Sequence, residues 1–284
     1  MSRAIDVMHL GRDRVICAYE LDGVVVDPGP AASVGALADL EPRALLLTHI
    51  HLDHAGAAGV LVRRFPALKV YVHERGAPHL VDPSKLLASA ERLYGEDIER
   101  LFGEVAPVPE QNVEPVADGA RVEGFSVAYT PGHASHHVCY LDEATGDAYV
   151  GDVAGVRIPP CELVIAPTPP PDIDLEAWGE ALDTVEGWRP EALCLTHFGR
   201  VARPAEQIER MRERLSVSAT RARESGRDGF LAGLEEELRA EADSETAARY
   251  RQAAPPDQLW LGLERYWRRR AEEGRRAEGE AAAA

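Results

Sequence analysis

Short apolar runs recur along the amino-terminal part of the chain, each closed by turn-forming or polar residues. Residues 15–20 and 23–27 flank Leu21-Asp22 and predict a β-hairpin. Asp27-Pro28-Gly29-Pro30 stops the second strand, and residues 31–40 predict a helix that ends before Pro42. Ala44-Leu45-Leu46-Leu47 predicts a buried strand, residues 55–62 a helix running to about Phe65, and residues 69–72 a further strand. The order ββαβαβ is a mixed α/β pattern in which helices cover a sheet.

Residues 74–103 predict irregular chain followed by one or two helices, with Leu86, Leu87, Ala90, Leu93 and Tyr94 on one face. Three prolines within 105–116 suit an edge strand and loop, and the alternation over 122–129 predicts a strand. After the polar junction 130–137 the sheet resumes at 138–141 and 148–152. Six prolines within 157–173 exclude regular helix and central strand, leaving an extended loop suited to wall a pocket. Residues 175–188 predict a helix with Leu175, Trp178, Leu182 and Val185 on one face, and 192–196 a strand that delivers His197.

From Pro204 onward Arg, Glu and Ala dominate, with helices expected at about 204–225, 228–242, 244–253 and 257–272. The stripe Leu259, Leu263, Tyr266 and Trp267 predicts a face docked on the main domain or on a twin subunit in a homo-oligomer. Residues 272–284 are expected to fray. The division is thus a catalytic unit at 1–203 and a helical extension at 204–284.

Composition narrows the partners. The 284 residues, 45% hydrophobic, are enough for a substantial core. A formal net charge of −17 argues against nucleic acid or an anionic membrane surface as the main partner. Cys17, Cys139, Cys161 and Cys194 lie far apart in apolar runs and suit buried thiols in a reducing compartment. No stretch approaches the roughly 20 apolar residues of a membrane span. With no apolar amino-terminal signal, the expectation is a soluble cytoplasmic protein.

The chemistry is concentrated in Thr48-His49-Ile50-His51-Leu52-Asp53-His54-Ala55-Gly56. Burying these groups unpaired would cost several kcal/mol each, so the stretch reads as a metal site. His49 and His51 can point one way from a strand end, and Asp53 and His54 toward a second spot nearby. His133, Asp152 and His197 also follow apolar strands. Strands of one sheet bring their ends together, so all seven residues are candidates for a single dinuclear site.

The motifs at 49–54 (HxHxDH), Pro131-Gly132-His133, Gly151-Asp152 and Thr196-His197 resemble, in that family's order, the metallo-β-lactamase superfamily over about residues 10–200. The resemblance implies an α/β fold, an αββα sandwich with two divalent metal ions at one edge between the sheets. Carried over, His49, His51 and His133 hold one ion, Asp53, His54 and His197 the other, and Asp152 bridges them, with Asp53 and Asp152 as the catalytic carboxylates. Imidazole and carboxylate donors suit zinc, and manganese or iron could use them too. Such a pair lowers the pKa of a shared water from 15.7 toward roughly 7, so a metal-bridging hydroxide would attack a small ester, thioester or lactone.

Within the superfamily, Asp152 in place of Cys or Ser argues against a true β-lactamase, and the acidic balance against the tRNA-processing nucleases. Residues 153–156 lack the tyrosine of the N-acyl homoserine lactonases. The segment 130–140 is most similar to glyoxalase II, including His137, although His136 stands where that branch has glycine. The alternative is a mononuclear iron enzyme similar to the persulfide dioxygenases. His136 and His137 are expected behind the ligands and Asp27 to hold a ligand histidine, while His73 and His79 are expected to be structural, with contact to substrate at the mouth of the site as the lesser alternative.

Overall fold

Strands buried on both faces read as unbroken apolar runs, and the period of two then sorts their side chains between two cores. In the computed structural model, which describes residues 2–283, Ala44 and Leu46 point into the space between two sheets, whereas Leu45 and Leu47 face covering helices. The first sheet runs in the order β1 (Arg3–Asp6), β2 (Cys17–Leu21), β3 (Val24–Val26), β4 (Ala44–Leu46), β5 (Lys69–His73), β6 (Val113–Val116). It is antiparallel through β3 and parallel from β3 to β6. Its helices are α1 (Leu52–Ala55), α2 (Ala58–Arg64), α3 (Ala77–Val81), α4 (Ser84–Tyr94) and α5 (Ile98–Phe102).

The second sheet contains β7 (Arg121–Val122), β8 (Phe125–Tyr129), β9 (Val138–Asp142), β10 (Asp147–Gly151), β11 (Ala192–Leu195) and β12 (Gly199–Val201), in the order β12-β11-β10-β9-β8-β7. Its outer face is covered by α6 (Leu175–Gly187), α7 (Pro204–Glu241), α8 (Ser244–Ala253) and α9 (Pro256–Ala283). Tyr19, Val26, Tyr140 and Tyr149 fill the layer between the sheets. The architecture is an αββα sandwich with a carboxy-terminal helical extension.

Several elements differ from the sequence expectation. The helix expected at 31–40 is a 3-10 turn over Ala31–Leu37. The helix expected from 55 begins inside the histidine motif as α1 and restarts as α2. The strand expected over 122–129 is a hairpin, because Glu123 and Gly124 adopt positive φ of 54° and 90° and turn the chain between β7 and β8. The edge strands β1 and β12 are additional. A non-helical residue, Gly226 at φ 64°, interrupts α7 where one helix was expected to end. The stripe Leu259, Leu263 and Tyr266 packs on this chain's own core, and the backbone of α9 continues through the stretch expected to fray, as far as Ala283. No helix among the described residues is long and apolar enough to cross a membrane.

Candidate metal centre

The seven candidate residues gather at one edge of the sandwich, at strand ends, in the loop that follows β8 and, for Asp53 and His54, on α1. Two buried tyrosines fix the strand ends across the sheet interface: Tyr140 donates to the Leu47 carbonyl at 2.9 Å and Tyr19 to the Leu195 carbonyl at 2.7 Å. Backbone bonds complete the seam, Val138 N–H to Thr48 and Cys17 N–H to Thr196, both at 2.8 Å. Directly beyond these anchors come His49 and His197.

Asp27, fully buried at the end of β3, sits between them. Its Oδ1 accepts from the Thr48 N–H at 2.8 Å, while Oδ2 accepts from Thr48 Oγ1 at 2.7 Å, Thr196 Oγ1 at 2.8 Å and His54 Nδ1 at 2.8 Å. The Thr48 hydroxyl in turn lies 3.1 Å from His49 Nδ1 and, having spent its proton on Asp27, accepts from it. His133 Nδ1 donates to the Pro167 carbonyl at 2.8 Å and His197 Nδ1 to the Val15 carbonyl at 2.6 Å. Four imidazoles therefore carry their proton on Nδ1 and present a bare Nε2 to the site.

The Nε2 atoms of His49 and His133 lie 2.9 and 3.0 Å from His51 Nδ1. One proton on His51 could satisfy only one of these contacts, so lone pairs face each other in the remainder. The same holds opposite. His54 Nε2 is 3.3 Å from Asp152 Oδ1 and 3.8 Å from Asp53 Oδ2, and His197 Nε2 is 3.3 Å from Asp53 Oδ2. His54 Nε2, His197 Nε2 and Asp152 Oδ1 are buried without a hydrogen-bond partner. Acceptors converging on acceptors call for cations, and the borderline-soft imidazole and carboxylate donors fit divalent ones. Ligand atoms within 4.8 Å of one another group as His49, His51 and His133, as Asp53, His54 and His197, and, between these, as His49, His54 and Asp152. They are two candidate metal-binding clusters consistent with a dinuclear centre.

Electrostatics follows from burial and charge together. Burial pushes His49 well below the usual imidazole range, His51 down to about 4, and lowers His133. Burial also opposes charge on His54 and His197, but the facing carboxylates outweigh it and raise both. Against the same burial, the imidazoles around Asp152, His54 foremost, hold its carboxyl well below the usual carboxylate range.

Glycine is required at two turns. A Cβ at Gly132, φ 133°, would lie 2.4 Å from Trp178 Cα, and one at Gly151, φ 49°, would meet Thr48 Oγ1 at 2.5 Å. Trp178 also donates from its indole to the Val153 carbonyl at 2.8 Å, so α6 supports the turns bearing His133 and Asp152 at once. His137 is no donor to the centre. Its Nδ1 meets Thr130 Oγ1 at 2.9 Å, and its Nε2 lies 3.4 Å from the Asp152 N–H. His136 packs parallel to His49 at 6.2 Å and lines the adjoining cavity, as does His79, whereas His73 stacks on Tyr129 at 4.5 Å, away from it.

That cavity, about 500 Å³, opens on His51, Asp53, Asp152 and His197, and is walled by α4, α5, the proline-rich loop and the α8–α9 junction. Sequence reasoning missed the supporting threonines, although the dipeptide Thr-His recurs at both strand ends, 48–49 and 196–197, as a visible signal. It missed the Val15 and Pro167 carbonyls as well, and backbone acceptors leave no mark in a sequence.

A buried dinuclear donor set at the floor of a cavity, carried on an αββα sandwich, defines a metal-dependent hydrolase acting on small substrates. Residues 15–197 match the metallo-beta-lactamase superfamily, and the chain belongs to it. It is 29% identical over 211 residues, 71% of this chain and 77% of the relative, to the metallo-beta-lactamase fold-containing protein ST1585 of Sulfurisphaera tokodaii. Hydroxyacylglutathione hydrolase of Salmonella paratyphi A is 35% identical over 125 residues, 42% of this chain and only 38% of that enzyme. Among solved structures, ST1585 from Sulfolobus tokodaii superposes with a TM-score of 0.71 at 24% identity, covering 93% of this chain and 98% of that one. The metallo-beta-lactamase family protein TTHA1429 from Thermus thermophilus gives 0.60 at 23%, covering 90% and 89%. These two share the fold.

Proposed function

We propose that the chain hydrolyses a small ester, thioester or lactone at a pair of zinc ions. One is held by His49, His51 and His133, the other by Asp53, His54 and His197. The observation that carries this reading is the position of Asp152, whose Oδ2 lies 3.3 Å from His133 Nε2 while Oδ1 lies 3.3 Å from His54 Nε2 and 3.6 Å from His197 Nε2. One carboxylate thus offers an oxygen to each triad. Two divalent ions bound there supply Lewis acidity that polarises a scissile carbonyl and acidifies a water.

The residues of the chain do the rest. Fixed Nδ1 protons keep four Nε2 lone pairs aimed before substrate arrives, so little reorganisation is needed during reaction. Asp53 turns Oδ2 to His54 and His197 and borders the cavity, so its other oxygen orients the attacking water. The cavity walls keep bulk water away and strengthen each interaction inside.

Residues 1–203 form the catalytic unit in this reading, and 204–284 the extension that closes the pocket. The similarity to hydroxyacylglutathione hydrolases favours a thioester. Four buried free cysteines suit a reducing compartment such as the cytoplasm. A mononuclear iron oxygenase has no use for the second triad, which makes it the weaker reading.

Metal analysis of the native protein, followed by a panel of thioesters, lactones and aryl esters, tests the proposal. The expected result is about two zinc ions per chain, and hydrolysis reduced at least ~10³-fold in a folded Asp152→Asn variant. A single iron with oxygen consumption, or full activity in that variant, would overturn it.

A further inference from the structure

The cavity says more about the substrate than the donors do, provided that the centre is a hydrolase as proposed. Beyond the donor floor its walls are apolar: Leu52 from α1, Leu86 and Leu93 two turns apart on α4, Phe102 from α5 and Leu259 from α9, with Pro169–Pro171 alongside. Several of the polar groups in those walls are already spent on one another, while the His136 Nδ1, buried against the donor floor, keeps no partner. The Tyr94 hydroxyl donates to Gln258 Oε1 at 3.0 Å, Ser135 Oγ donates to Asp172 at 2.6 Å, and Arg251 is held by Glu235 at 2.7 and 2.8 Å. A polar acyl group entering this space would lose water and gain few partners, whereas a hydrocarbon would lose nothing.

Two cations among the lining residues are different. Arg75 and Lys85 are exposed and pair with no carboxylate among the described residues, in a chain of formal net charge −17. Arg75 is nevertheless held in place. It donates to the Tyr129 hydroxyl at 2.8 Å and lies over that ring, 5.4 Å from its centroid. A fixed guanidinium and a free ammonium facing one opening recognise an anion.

We propose that the substrate is a thioester of a medium-length apolar acyl chain on an anionic thiol carrier. The chain enters between α4, α5 and α9, and the carrier's carboxylates or phosphates remain at Arg75 and Lys85. Hydrolysis forms a carbon–oxygen bond from water and breaks the acyl–sulfur bond. One proton of the water ends on the released thiol, and the other leaves as the acid ionises.

The test uses metal-loaded full-length protein and acetyl, butanoyl, hexanoyl and octanoyl thioesters of glutathione, coenzyme A and neutral N-acetylcysteamine. Expected is a rise in kcat/KM of about tenfold or more from acetyl to octanoyl. Leu93→Trp, which fills the cavity, should cut octanoyl turnover at least ~10-fold more than acetyl turnover. Arg75→Glu with Lys85→Glu should raise KM about fivefold more for the anionic thioesters than for the neutral one. The better of glutathione and coenzyme A identifies whether carboxylates or phosphates are recognised. If a variant fails to fold, the chain-length series on the unaltered protein decides by itself. Turnover that is flat or falls with chain length would overturn the inference while leaving hydrolysis intact. No turnover of any ester, thioester or lactone would instead sink the hydrolase reading.

Discussion

Asp27 touches no substrate and belongs to neither donor triad, yet four hydrogen bonds end on its two oxygens. Asparagine has the same shape but must aim its amide NH2 at one of these donors, leaving a buried group unpaired at a cost of about 1–3 kcal/mol. Asp27→Asn also deprives His54 of the carboxylate that fixes its tautomer, so affinity for one ion should fall by roughly 10–100-fold, measured by competition with a chelator. Unchanged affinity would show that His54 is oriented by something else. The imidazoles also predict an order of loss on acidification. Groups that hold protons more tightly surrender a metal at higher pH, and His54 and His197 are raised whereas burial depresses His49, His51 and His133. The ion beside Asp53 should therefore leave first as pH falls, and the ion on His49, His51 and His133 should persist to lower pH. Metal content followed against pH should show two steps.

At the scale of elements, α8 reaches the metal centre through the loop before β2. Arg249, only 2% exposed, donates to the Asp13 carbonyl at 3.1 Å and to its carboxylate at 3.0 and 2.6 Å, and Gln252 donates to the His9 carbonyl at 2.9 Å. Two residues beyond Asp13, the Val15 carbonyl holds His197. Arg249→Met keeps the stem but drops these bonds, so it should cost about 2 kcal/mol in denaturant unfolding and weaken the ion at His197 more than the one at His51. Equal weakening of both ions would contradict this coupling. β4, β10 and β11 were legible because each is buried on both faces and ends in a polar outlier, and β8 by its alternation. β1, β7 and β12 were not, since two to four residues with arginine at an edge carry no such run. The role of Trp178 was hidden for another reason: its position on the apolar face of α6 was plain, but its contact with the His133 turn depends on packing that periodicity does not encode.

For the molecule as a whole, the change of composition at Pro204 is visible in the sequence, but the packing runs straight across it. Ile208, Met211, Leu215, Phe230, Leu238 and Leu263 belong to the same buried cluster as Val150, Leu182 and Leu195. Polar ties cross the boundary too. Gln207 donates to the Ala154 carbonyl at 2.8 Å, two residues past Asp152, and the buried Tyr250 hydroxyl accepts from the Ile158 N–H at 3.0 Å and donates to the Leu163 carbonyl at 2.6 Å. The arginine and glutamate that set the composition mark the solvated faces of these helices, while the faces that matter for folding are narrow stripes within them. A chain ending at Arg203 would leave the outer face of the second sheet and one side of α6 in water, and would strand the loop that follows Asp152. It should fail to fold, giving aggregated protein or a broad, non-cooperative melt, while the full chain unfolds in a single transition by calorimetry. Two separate transitions in the full chain, or a soluble and cooperative fragment 1–203 that still binds two ions, would mean that the extension is a true second domain and that its contacts with the Asp152 loop are incidental.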